Sequence, residues 1–323
     1  MLGRSAISLF VLTGLFFACA PGVAYAQEMH SGGGRLPTVE LLAGVTHGIV
    51  QGVAVFLAGL AAFMALVWQP VGRSSSADGT FVRGSWVLFA VLAVAGLVDL
   101  CVYAAWATGL PLGPGLFAEA LFATTAGYIA LIRLGFGLLA ALAVVWAARG
   151  SGVGRWWAAA GCGGLLLATL VPESHAAADG PLSMLVIWLH LAAAAIWVGG
   201  LLAFPLLLRG PLRALGLEER AALRRRAVRR FSRVATVAVA AILLTGLYGT
   251  LQYVSGPAAL FGTPYGRALI MKLWMATMLL AVGGINYMDK GDGPLGRMVG
   301  LELAITGGIF VAAGFLTSLP PAD

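Results

Sequence analysis

Residues 183–208 run for 26 positions without a charge, and the one titratable side chain among them is His190. Roughly 20 apolar residues cross a bilayer, so the stretch reads as a transmembrane helix. In hydrocarbon every backbone amide must find its partner inside the protein, and a long apolar run does this only as a helix. Comparable runs recur at about 39–68, 84–108, 122–148, 154–171, 231–254, 266–288 and 298–319. The expected fold is therefore all-α: a polytopic membrane helix bundle with eight transmembrane helices. Composition agrees, with 60% hydrophobic and 10% charged residues, against about 25% charged in an ordinary globular chain.

The first 26 residues combine one arginine, an apolar run and the small-residue site Ala24-Tyr25-Ala26, the pattern of a secretory signal peptide cleaved after Ala26. Residues 27–38 then form a polar, Gly-rich periplasmic leader of about a dozen residues, too short for a fused soluble domain. Cys19 leaves with the signal. Cys101 and Cys162 lie singly inside expected spans and make no disulfide framework.

The net charge of +7 is unevenly spread: nine of the twenty basic residues lie within 209–233. That is a topology signal and a lipid-headgroup contact, not a nucleic-acid surface. Loops 69–83, 149–155, 209–233 and 289–297 carry Lys or Arg, whereas 109–121, 172–182 and 255–265 carry none. Positive loops stay cytoplasmic, so both mature termini are expected on the periplasmic side of a bacterial inner membrane.

Two halves are expected, at 39–171 and 172–323. Gly127 with Arg133 matches Gly266 with Lys272, His47 and His190 both come early in their spans, and Gly-Arg opens spans four and eight. Matched elements running in the same direction imply halves related by an axis along the membrane normal.

Ionisable groups inside spans are costly and mark functional sites. His47, His190, Arg133 and Lys272 are expected at one depth in the outer third, with Asp99 in the same layer and Arg133 or Lys272 as its ion partner. Across the proposed axis His47 and His190 would face each other, with Glu40 and His175 above them. Such imidazoles bind copper, zinc or iron. Met271, Met275 and Met278 form an i, i+4, i+7 stripe, which is either plain packing or a ladder of soft ligands for Cu(I). Trp197 shares the face of His190, and Gly199 and Gly200 let a neighbouring helix approach.

At these residues the chain resembles the CopD/PcoD family of copper resistance proteins. The resemblance rests on His190, Trp197, Gly199 and Gly200, then Arg230-Phe231-Ser232, Thr245-Gly246, Tyr265-Gly266 with Lys272, and Asn286. In the first half it includes Gly127 with Arg133, and His175. It implies an inner-membrane protein that passes copper from periplasm to cytoplasm, supplied by a separate periplasmic carrier of the CopC type. No nucleotide-binding motif and no nucleophile–base spacing is present, so no enzyme is expected. Two alternatives stay open: a b-type haem held by His47 and His190, and a non-catalytic assembly factor for oxidases or metal sites.

Overall fold

The computed structural model describes residues 37–71, 75–108, 113–150, 152–209, 212, 215–288, 295–319 and 322. The expected signal peptide, most of the leader, Arg73 and Lys290 lie outside these residues, as do the side chains of Glu40 and Asn286. The described part is helical. Its elements are α1 (Pro37–Phe63), continued by a π turn (Met64–Trp68) and a last turn (Gln69–Val71), α2 (Ser75–Thr108), α3 (Pro114–Ala123), α4 (Thr125–Ala148), α5 (Val153–Ala168), α6 (Pro181–Arg209), α7 (Leu217–Tyr253), α8 (Pro257–Gly262), α9 (Pro264–Met288) and α10 (Leu295–Ser318). Two 3-10 turns, Val171–Glu173 and His175–Ala177, join α5 to α6.

Among the described residues seven helices are long and apolar enough to cross a membrane, not eight. The shortfall is span four. α5 covers only 16 residues, and the apolar residues that follow it belong to the 3-10 connection.

α1 is the hub, packed against α2, α5, α6 and α10. Lipid offers no hydrophobic drive for helix association, so close packing of small residues must supply it. A Cβ on Gly59 of α1 would stand 2.3 Å from Ala195 O and 2.6 Å from Gly199 Cα of α6. On another face, a Cβ on Gly48 would stand 2.4 Å from Phe310 O of α10. Phe63 of α1 meets Phe204 of α6 one turn beyond the Gly59–Gly199 contact, so the two helices run parallel.

Large side chains fill the bundle where the helices splay. At one end Phe63, Phe204 and Phe231 pack edge to face or tilted, within a core that includes Trp68, Phe81 and Trp156. Within the π turn the Leu66 carbonyl accepts from Arg230 Nε of α7 at 2.6 Å. At the other end Tyr265, Phe315, Leu319 and Ala322 close the core.

The short helices α3 and α8 enter α4 and α9 through junctions built alike. Thr124 Oγ1 accepts from the Gly127 amide at 3.0 Å, and Thr263 Oγ1 accepts from the Gly266 amide at 3.0 Å. A Cβ on either glycine would stand 2.2 Å from a carbonyl of the preceding short helix.

Candidate functional site

Between the N-terminal parts of α1 and α4 and the C-terminal parts of α2 and α10, roofed by the first 3-10 turn, lies a cavity of about 390 Å³. Its polar lining comes from His47, Asp99, Tyr103, Arg133 and Glu173 with the hydroxyls of Thr125, Thr317 and Ser318. α1 presents His47 and Thr46 side by side to α2. Asp99 Oδ1 accepts from Thr46 Oγ1 at 2.6 Å, and Asp99 Oδ2 lies 3.2 Å from His47 Nδ1. A carboxylate only accepts, so Nδ1 carries the hydrogen, and in the neutral imidazole Nε2 then holds a free lone pair. That Nε2 is buried and has no hydrogen-bond partner among the described residues. A carboxylate that fixes one ring nitrogen and frees the other is the outer-shell arrangement of metal-ligating histidines.

Arg133 forms the second polar group. It is 3% exposed. It donates to Thr169 O at 3.1 Å, to Thr169 Oγ1 at 3.3 Å, and to Glu173 Oε2. Thr169 ends α5, so the guanidinium satisfies a carbonyl at a helix C-terminus, where cations are favoured. The shortness of α5 is what brings this end to the depth of Arg133.

Several expectations are corrected here. Asp99 pairs with His47 and Thr46, not with Arg133 or Lys272, and the partner of Arg133 is Glu173. His47 and His190 do not share a site. His190 Nδ1 lies 2.8 Å from Thr245 Oγ1 of α7, and Lys272 is half-buried on α9. The Thr245 hydroxyl also lies 2.6 Å from Ala241 O. The physical reason is twofold. α1 and α6 touch most closely at Gly59 and Gly199, about three turns beyond His47 and two and a half beyond His190. Each ring is then taken by the helix next to its own.

His175 lies outside the cavity. Its Nε2 is 3.1 Å from Leu316 O, and its ring packs 5.9 Å from Tyr253 and 6.1 Å from Tyr265. Met275 is buried in the α9–α10 interface, its Sδ 2.8 Å from where a Cβ on Gly308 would stand. Met271 packs in the same apolar cluster with Ile305, Ile309 and Ala312, and Met278 is half-buried further along α9. None of the three methionines lines the cavity. On α6, Trp197 is half-buried, Gly199 meets Gly59, and Gly200 makes room for the Phe231 ring, which a Cβ would approach to 2.0 Å. Glu40 sits in the first turn of α1, with its side chain outside the described set. Among the described residues no group of three or more His, Cys, Asp or Glu converges as a ready metal cluster.

The residues that sequence reasoning missed are Thr46, Thr169 and the role of Glu173. Glu173 carried a signal, as an acid in a loop without Lys or Arg. The threonines carried none, because a helical hydroxyl reads the same whether it bonds its own backbone or a neighbouring ligand.

These observations define a multi-pass membrane helix bundle with a polar cavity at one end. Residues 225–316 match the family described as copper resistance protein D. A curated relative, described as copper transport protein CutJ of Bacillus subtilis (strain 168), is 35% identical over 221 residues. The match covers 64% of this chain and 39% of the relative, so the chain spans about two fifths of the relative's length. Over residues 225–316 the chain is thus similar to the CopD family. No solved structure matches. Among the cavity's polar residues, His47, Asp99, Tyr103, Arg133 and Glu173 all precede the family segment.

Proposed function

We propose that this protein handles copper in the bacterial inner membrane, carrying the ion from periplasm to cytoplasm and contributing to copper resistance. The likeness of residues 225–316 to copper resistance protein D and the similarity to the copper transport protein CutJ support the choice of copper. The observation that carries the site is the buried, unpartnered Nε2 of His47, oriented by Asp99 into a cavity. In this reading the cavity opens to the periplasm, because the opposite end carries the arginines at the start of α7. Both mature termini are then periplasmic, and the chain is two four-helix halves, 39–171 and 172–323. The like junctions at Gly127 and Gly266 support that division. A separate CopC-like carrier is the donor, and the protein performs no catalysis.

The bound ion engages His47, with Glu173 and Tyr103 as further oxygen donors. Arg133 neutralises Glu173 and holds the 3-10 roof to α4. His190, His175 and the methionines sit on the inward route or in its walls.

The test is copper accumulation in cells expressing the protein. His47→Ala should reduce accumulation to that of cells without it. Wild-type accumulation by His47→Ala, with the variant present in the membrane at normal level, would remove the cavity from the function.

A further inference from the structure

We infer that the cavity takes copper as Cu(II), through nitrogen and oxygen donors, and not as Cu(I). This rests on the reading of His47 as the ligand to the transported ion, and adds the oxidation state.

The donor atoms around the cavity are the His47 imidazole, the Asp99 and Glu173 carboxylates, and the hydroxyls of Tyr103, Thr125, Thr317 and Ser318. Among the described residues no cysteine or methionine lines it. Thiolate and thioether select Cu(I), whereas mixed nitrogen and oxygen sites with open positions suit Cu(II). The protein does hold soft donors, but elsewhere. Met275 is wedged against Gly308, Met271 lies in the same apolar packing, and Cys101 and Cys162 are not part of the lining.

Charge does not reverse this choice. Arg133 offsets Glu173, and Asp99, held at Nδ1 on the other side of the imidazole, acts on either ion only through the ring. A Cu(I) ion on one imidazole would lack the second soft donor that it needs. A Cu(II) ion completes its shell with carboxylate oxygen and water, and the cavity has room for several waters. The carboxylate in question is that of Glu173, since Asp99 is bonded to Nδ1 on the far side of the ring and orients the imidazole without ligating the ion.

The experiment uses the full chain in detergent, with any polyhistidine tag removed. Copper(II) sulfate is added in air and the electron paramagnetic resonance spectrum recorded. A protein-bound axial signal is expected, with superhyperfine splitting that changes when the protein is grown on 15N-histidine. His47→Gln should lose the signal and Met275→Leu should keep it. Under reductant without oxygen, a chromophoric Cu(I) chelator should strip the ion, with retention at least about tenfold weaker than for Cu(II). Retention of Cu(I) with only an aquo signal from Cu(II) would overturn the inference while leaving the copper cavity in place. Retention of neither ion would overturn both.

Discussion

The pairing of Arg133 with Glu173 can be weighed by a double-mutant cycle. Arg133 is buried, with a side chain 4% exposed, whereas the Glu173 side chain is 21% exposed. Arg133→Met leaves Glu173 without its counter-charge and the Thr169 carbonyl without its donor. Breaking a buried pair from one side costs about 3–5 kcal/mol. Glu173 faces the cavity and keeps some access to water, so the lower end, about 3 kcal/mol, is expected. Glu173→Gln preserves shape and one acceptor and should cost about 1–2 kcal/mol. The double variant removes both charges together and should lose less than the two single costs combined, by about 1–3 kcal/mol of coupling. Thermal unfolding in detergent of the four proteins, read by loss of the monodisperse chromatographic peak, gives the ranking. Additivity within about 0.5 kcal/mol would refute the reasoning, since uncoupled residues add to that tolerance.

Further outcomes follow from the same geometry. Asp99→Asn should weaken copper retention about 10- to 100-fold with little change in melting, because the charge is lost and a side chain that both donates and accepts no longer fixes the imidazole tautomer; equilibrium dialysis measures this. Gly59→Leu should prevent assembly, since its Cβ would meet backbone on α6 that cannot yield; a normal yield of monodisperse protein would contradict it. Arg230→Met should destabilise by about 1–2 kcal/mol through the lost bond to the Leu66 carbonyl, seen as an earlier melt without change in copper binding.

Seven of the eight expected spans were legible because length and apolarity fix them. α5 was not, because Thr169, Leu170 and Val171 prolong the apolar pattern past the point where the helix stops. Depth was legible as well, since counting turns from charged loops put His47 and Asp99 in one layer, where they meet. Pairing was not. A rule that opposite charges attract chose Arg133 for Asp99, but which helix neighbours which is not written in any one span. The Gly–cation spacing in spans three and seven was visible, and its local meaning came only with Thr124 and Thr263. Those hydroxyls bond the Gly127 and Gly266 amides while the glycines let a short helix lie against them. The stripe of methionines was read correctly as a periodicity, and its face is turned to α10.

The early end of α5 leaves several peptide groups of 171–177 in single-turn conformations beside the cavity. Lipid chains cannot solvate such amides, so this corner belongs to solvent or to protein. An arriving ion would then meet a damp antechamber before it meets the imidazole. It could exchange its hydration shell one molecule at a time, instead of surrendering it whole at the surface of the bilayer.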